Sequence, residues 1–147
     1  SIMMISHYEH LVTVDGKRLP GLGILDVTTQ GNPKRMIGPV VMSTDFGDVV
    51  GYENHSGLTR LAGGQAAFGR VRSGFGNNGE DGTEGARTGN VFGTYLHGPI
   101  IPANPCFADA LLAYAVPLAT GAAFRPGELD DTLADEAHTR QVARLVG

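Results

Sequence analysis

The clearest candidate for acid–base chemistry in this sequence is His97, which ends a predicted strand and is followed by Gly98-Pro99. The strand fixes the backbone of the histidine, and the Gly-Pro turn leaves space around its ring. Because imidazole gains and loses a proton close to neutral pH, a ring held in this way can act as a general acid and base. The alternative is a histidine that only caps the turn.

Arg35 is a candidate for binding a carboxylate. It follows Asn32-Pro33-Lys34 and stands at the entrance to another predicted strand. A guanidinium group can hold a carboxylate through two parallel hydrogen bonds. Arginines at such places also lie solvated on the surface, and residue type and spacing leave both interpretations open.

Cys106 is the only cysteine of the chain and therefore its only candidate thiol nucleophile. It lies in the first turn of a predicted helix, where the helix dipole favours a thiolate. Its neighbours have the spacing of a packed helix, in which a lone cysteine usually acts as a small buried apolar residue. We therefore predict that Cys106 is buried and inert.

No motif indicates a metal or a phosphate group. His7 and His10 are three residues apart, and His55 and His138 are far away, which matches no recognised zinc spacing. The glycine-rich residues 74–85 lack the strand–loop–helix order of a phosphate-binding loop and the spacing of an EF-hand, and their acidic side chains would repel phosphate. We predict no metal site and no cofactor, and we interpret this stretch as a lid or a partner-facing loop.

Strands are predicted for the first two-thirds of the chain and helices for the last third. Short apolar segments bounded by turn residues predict strands at 22–25, 36–42, 49–52, 67–71 and 90–97. Asp15-Gly16 predicts a hairpin turn, Gly38-Pro39 an interruption of the second of these strands, and residues 73–89 a long loop. Asn104-Pro105 predicts the start of a helix that Pro117 ends, and a second helix is predicted for 131–145.

Composition indicates one globular domain of the α/β or mainly β class over residues 1–147. The chain has 147 residues, 11 Lys plus Arg, 15 Asp plus Glu and a formal net charge of -4. It has no basic cluster for nucleic acid and no apolar run of the roughly 20 residues that a membrane span needs. It also has no signal-peptide pattern, and we expect a cytoplasmic protein.

Four ordered motifs, at 21–26, 51–57, 76–85 and 93–99, resemble those of the cobyric acid synthase-type class I glutamine amidotransferases. Within that family they resemble in particular the amidotransferase subunits of bacterial lipid II isoglutaminyl synthases. The resemblance covers about residues 8–145. It implies an α/β, flavodoxin-like class I amidotransferase domain, truncated at its amino terminus, with extra β-strands and two carboxyl-terminal helices.

The resemblance also implies an activity. In this family a cysteine attacks the side-chain amide of glutamine, a histidine relays the proton, and ammonia passes to an ATP-dependent subunit that resembles a Mur ligase and amidates D-glutamate of lipid II in peptidoglycan synthesis. By position, His97 matches the catalytic histidine and Arg35 the arginine that positions glutamine. The acid that orients the imidazole would come from the partner subunit.

The amino terminus departs from the family pattern. The nucleophilic cysteine of the family lies near the place where this chain begins, and there Ser1 is followed by residues that do not match the usual glycine-containing turn. We therefore expect a carboxyl-terminal portion of the family domain, with no glutaminase activity alone and with exposed sheet edges that favour self-association. Two alternatives stay open, amidation of a cobalamin precursor and a non-catalytic remnant that only binds a partner.

Overall fold

The computed structural model describes residues 10–97, 99–125, 127 and 129–147 of the chain. The expectations for Ser1, His7 and Gly98 concern residues outside this set. The described part holds eight strands and two helices: β1 His10–Val12, β2 Arg18–Pro20, β3 Val27–Thr44, β4 Gly47–Leu61, β5 Gly69–Ser73, β6 Thr83–Glu84, β7 Ala86–Thr88, β8 Val91–Gly93, α1 Pro105–Thr120 and α2 Thr132–Val146. The predicted α/β class with two carboxyl-terminal helices is confirmed.

A long antiparallel hairpin of β3 and β4 forms the centre of a six-stranded sheet. β1 pairs in parallel with the start of β3, and β5 pairs antiparallel with its end. Because the same β3 residues also pair with β4, β1 and β5 lie on the edge of β3 that is opposite to β4. β2 and β6 complete this sheet, β7 and β8 form a separate hairpin, and the turn predicted at Asp15-Gly16 joins β1 to β2.

Pro39 does not interrupt its strand as predicted. It pairs with Tyr52 in the middle of the β3–β4 ladder, and the irregularity of this ladder lies between Gly31 and Met36. The backbone of Tyr52 bonds in both directions to His97, on the other side of β4. Pro39 therefore occupies a position that makes no ladder hydrogen bond to β4, and its missing N–H costs nothing there.

None of the five predicted strands has the predicted extent. Residues 36–42 lie within the 18-residue β3, 49–52 lie within the 15-residue β4, and 67–71 overlap β5 only from Gly69. Residues 22–25 form no strand: Leu25 is buried, but Leu22 and Ile24 are exposed. The strand predicted at 90–97 is the three-residue β8, which ends at Gly93. It ends there because Thr94 and Tyr95 donate hydrogen bonds to the buried carboxylate of Glu84 instead of pairing with a neighbouring strand.

The glycine-rich stretch packs against the central hairpin, so the predicted lid is wrong. Its exposed residues 79–82 leave the partner-facing alternative a prediction. The stretch contains β6 and leads directly into β7, and the side chains of Asn77 and Asn78 are buried. Asn77 exchanges hydrogen bonds with Gly85 in both directions, and Asn78 donates to the carbonyl of Thr59 on β4 at 2.8 Å. These contacts attach the stretch to the central hairpin.

Both predicted helices are present. α1 continues through Pro117 to Thr120, so the predicted stop at that proline is wrong; the helix ends where Gly121 adopts the left-handed conformation with φ of 71°. α2 agrees with its prediction, and Glu136 pairs with Arg140 one turn later. Neither helix is long and apolar enough to cross a membrane.

The larger apolar core lies between the central hairpin and α1. Its buried members are Val40, Met42, Val49, Phe68, Leu96 and Phe107. Phe107 packs against Phe68 with ring centroids 5.0 Å apart, and Phe46 and Phe92 surround it. Since Leu96 belongs to this core, the residue that precedes His97 is anchored by apolar packing.

Candidate active site at the edge of β4

His97 lies against the free edge of β4. Its N–H donates to the carbonyl of Tyr52 at 3.0 Å, and its own carbonyl accepts from the N–H of Tyr52 at 3.2 Å. Its side chain is exposed, and its ring stands edge-on to that of Tyr52 with centroids 6.1 Å apart. The sequence predicted a histidine at a strand end; the structure instead holds it through an isolated two-residue bridge.

The close approach of this segment to β4 depends on a glycine. A Cβ at Gly51 would lie 2.4 Å from Cδ2 of Leu96, closer than packed carbons can approach. The absence of a side chain at position 51 therefore lets Leu96 pack in the core. The packing of Leu96 in turn anchors the backbone of the next residue, His97.

Arg35 lies within β3, beside the ladder irregularity, and its guanidinium crosses to β4. Nε and Nη2 donate to Oδ1 of Asn54 at 3.0 and 2.6 Å, and Nη2 also donates to the carbonyl of Asn54 at 3.3 Å. Nη1 makes no hydrogen bond to any residue that the structure describes. The exposed guanidinium is thus held in one orientation with one nitrogen left for another partner.

Arg35 and His97 each contact a residue on the same face of β4. Asn54 and Tyr52 are two residues apart on this strand, so their side chains point to the same face at about 7 Å spacing. Arg35 contacts the first and His97 contacts the second. The structure therefore brings the two sequence-predicted site residues to one exposed face, with Asn54 and Tyr52 between them.

The opposite face of β4 carries a buried carboxylate. Glu53, which is 1% exposed, accepts hydrogen bonds from the N–H groups of Phe75 and Gly76 at 2.7 and 3.0 Å. Nε2 of His55 lies 3.3 Å from the same carboxylate, and the ring of His55 stacks on Tyr95 with centroids 3.6 Å apart.

A second buried carboxylate, that of Glu84, lies under the segment that precedes His97. One oxygen accepts from the N–H of Tyr95 at 2.8 Å and the other from the hydroxyl of Thr94 at 2.9 Å. Complete burial raises the pKa of Glu84 from 4.5 to about 7. The two hydrogen bonds oppose this rise, and the nearby charge of Glu53 adds to it.

The sequence interpretation missed both carboxylates. Glu53 lies in the two-residue alternation of β4, on the same face as Val49, and this alternation is the signal that could have marked it as buried. Glu84 stands among polar and glycine residues and carries no such signal.

Cys106 is exposed, so its predicted burial is wrong. It is the second residue of α1. Phe107, one position later, is the residue of this turn that is buried in the apolar core. A helix turns by about 100° per residue, which directs Cys106 away from that core. Cys106 is one of the residues that line a separate cavity of about 110 Å³, together with Asp135 and His138 of α2.

No group of three or more His, Cys, Asp or Glu side chains that could hold a metal ion occurs in the part of the chain that the structure describes. A cavity of about 320 Å³ borders the candidate site. Tyr52 and Pro39 form one wall of this cavity, and Gln141 and Arg144 of α2 form another.

Comparison with known proteins shows to which family the chain belongs. Residues 2–105 match the CobB/CobQ-like glutamine amidotransferase domain. The chain is 46% identical over 121 residues to the lipid II isoglutaminyl synthase (glutamine-hydrolyzing) subunit GatD of Staphylococcus aureus, which covers 82% of this chain and 49% of that protein. The corresponding subunit of Streptococcus pneumoniae is 36% identical over 131 residues, covering 87% and 50%.

A probable cobyric acid synthase of Methanoregula boonei is 40% identical over 121 residues, covering 71% of this chain and 22% of that protein. The chain thus spans about half the length of the two isoglutaminyl synthase subunits and a smaller part of the cobyric acid synthase. Since the family domain matches well over half of the chain, the chain belongs to the CobB/CobQ-like glutamine amidotransferase family.

Proposed function

We propose that this chain carries the histidine of a glutamine amidotransferase that supplies ammonia for amidation of D-glutamate in lipid II. The observation that carries the proposal is the exposed ring of His97, whose backbone is bonded in both directions to β4 and which shares one face with Arg35. The isoglutaminyl synthase relatives, which are glutamine-hydrolysing subunits by name, support the same reaction.

In the proposed mechanism His97 is the proton carrier. It accepts the proton of a cysteine thiol, and the thiolate attacks the side-chain amide carbon of glutamine. The imidazolium then gives the proton to the departing nitrogen, so that ammonia leaves and a thioester remains. Deprotonation of a water molecule by His97 completes hydrolysis to glutamate and regenerates the thiol. Nη1 of Arg35 is suited to bind the α-carboxylate of glutamine.

The thiol of this mechanism is not Cys106. Cys106 is the only cysteine of the chain, and it lines a cavity with α2 residues, whereas His97 lies against Tyr52. We propose that the nucleophile comes from polypeptide other than residues 1–147, and that this chain alone hydrolyses no glutamine.

Ammonia needs an acceptor, and we propose an ATP-dependent, Mur-ligase-like partner subunit in the cytoplasm. The word "subunit" in the names of both isoglutaminyl synthase relatives supports an assembly. Self-association through the sheet edges stays a prediction. The second candidate function is amidation of a cobalamin precursor, which the 40% identity to a probable cobyric acid synthase favours.

The test uses the full-length native polypeptide that contains these residues, with its partner subunit, ATP and glutamine labelled with ¹⁵N in the side-chain amide. We expect ¹⁵N in the D-isoglutamine of lipid II, measured by mass spectrometry, and none when the polypeptide is omitted. Transfer of the label to a corrin acid instead would support the second candidate. Stable binding of the partner without release of glutamate would refute both and identify a binding module.

A further inference from the structure

The three residues before His97 belong to no strand or helix, and one carboxylate organises them. Glu84 accepts the N–H of Tyr95 and the hydroxyl of Thr94, and the same hydroxyl oxygen accepts the N–H of Leu96 at 3.0 Å. A single buried side chain thus determines, directly or through Thr94, the direction of the backbone that leads to His97.

Glu84 itself is held on both sides. It pairs with Gly69 of β5 in the sheet. The following residue, Gly85, exchanges hydrogen bonds with Asn77, and a Cβ at Gly85 would lie 2.3 Å from the carbonyl oxygen of Gly93. The backbone at Glu84 is therefore anchored by its pairing with β5, and the backbone that follows it by the close packing of Gly85 against Gly93.

The other anchors of the segment act at different atoms. The ring of Tyr95 stacks on His55, and its hydroxyl bonds to Thr59 at 2.7 Å, so these contacts hold only the side chain of Tyr95. The bridge to Tyr52 holds the backbone of His97 itself. If the carboxylate is removed, the N–H of Tyr95 and the hydroxyl of Thr94 lose their acceptor.

We propose that Glu84 is a positioning residue that sets the location of the His97 imidazole, an inference that rests on the proposed function of His97. It acts through Thr94 and Tyr95 and touches no substrate. Because a displacement of about 1 Å in a reacting group can lower a rate about 100-fold, weakening this clamp should reduce kcat for glutamine hydrolysis by about 10- to 100-fold. Arg35 on β3 is not attached to the clamp, so KM should change less than about twofold.

A double-mutant cycle separates this role from a general loss of folding. Glu84→Gln replaces one of the two acceptor oxygens with an NH2 group, so that Thr94 and Tyr95 can no longer both donate to this side chain, and Thr94→Val removes the hydroxyl. If both act through the one hydrogen bond, the double variant should be no slower than the slower single variant. Thr94→Ser keeps the hydroxyl and should restore kcat. Glu80→Gln, the same change at an exposed carboxylate of the same stretch that pairs with Arg60, serves as the matched control and should leave kcat unchanged.

The experiment measures kcat and KM for glutamate release by the full-length native polypeptide with its partner, together with the ¹³C–¹H NMR signal of the His97 ring, assigned by its loss in His97→Ala. Support is a fall in kcat at nearly constant KM in Glu84→Gln and Thr94→Val, recovery in Thr94→Ser and a shifted ring signal in the two slow variants. Unchanged kcat and ring signal in folded Glu84→Gln, or a full effect that Thr94→Ser does not restore, overturns the inference.

The proposed function can fail separately from this inference. If His97→Ala hydrolyses glutamine as fast as the unmodified protein, the role of His97 is wrong whatever the Glu84 variants do. If the protein hydrolyses no glutamine at all, the ring signal of His97 still decides whether Glu84 positions the imidazole.

Discussion

Raising the pH from 4.5 to 7 should destabilise this protein through one residue, Glu84. Its pKa is about 7 in the folded protein and 4.5 as an ordinary glutamate, because burial removes the carboxylate from water. The folded state therefore binds more protons than the unfolded chain in this interval, and stability falls as the pH rises. The difference of 2.5 units corresponds to about 3 kcal/mol of unfolding free energy at 1.36 kcal/mol per unit.

The assay is urea unfolding at several pH values across this interval, followed by circular dichroism. Glu84→Gln, which cannot ionise, should remove most of the decline, whereas the exposed Glu80→Gln should retain it. Asp81, a further acidic residue of the same stretch, does not add to the pH dependence between 4.5 and 7. Burial opposes its ionisation, but hydrogen bonds from Thr83 and Asn78 outweigh burial and lower its pKa below 3.8, so its contribution is lost only as the pH falls through that more acidic range. Parallel curves for the unmodified protein and Glu84→Gln would refute the reasoning.

Three further predictions concern packing and exposure. Phe107→Ala removes the ring at the centre of the aromatic core and should lower the unfolding free energy by about 3–5 kcal/mol in urea titration; a loss below 1 kcal/mol would contradict this packing. Gly51→Ala places a methyl group against Leu96 and should cost about 1–3 kcal/mol in the same assay, whereas Gly63→Ala, which meets no atom within 4 Å, should cost far less. Cys106 should react with a thiol reagent in the folded protein without prior unfolding, and complete protection until urea is added would contradict its exposure.

Local sequence patterns were sufficient for the elements that rely on local contacts. The turn at Asp15-Gly16 and α2 follow from turn chemistry and from the spacing of apolar and charged residues, and both agree with the structure. Pro39 was misjudged because a proline in a strand is unfavourable only where its missing N–H would have made a ladder hydrogen bond. Here the N–H and carbonyl of Tyr52, the residue opposite Pro39, bond to His97 and not to β3, and His97 lies much later in the chain. No local pattern contains this information.

Sequence motifs identified the exposed candidate residues but not the carboxylates beneath them. His97 and Arg35 were selected by motif and resemblance, and the structure brings them to one face of β4. Glu53 and Glu84 were not selected because acidic residues are rarely fully buried, and the backbone donors that make their burial tolerable come from distant segments. Cys106 was misjudged because the buried face of α1 includes Phe107 and not its neighbour Cys106, a difference of one residue along the helix.

The role of His97 is the central claim, and the rate of glutamate release from glutamine tests it most directly. The full-length native polypeptide that contains these residues, together with the proposed partner subunit, is compared with its His97→Ala and Cys106→Ser variants at saturating glutamine. The account predicts a loss of at least about 100-fold for His97→Ala, the scale of a removed general acid–base group, and no loss for Cys106→Ser. An unchanged rate in His97→Ala would contradict the account, and so would a loss confined to Cys106→Ser.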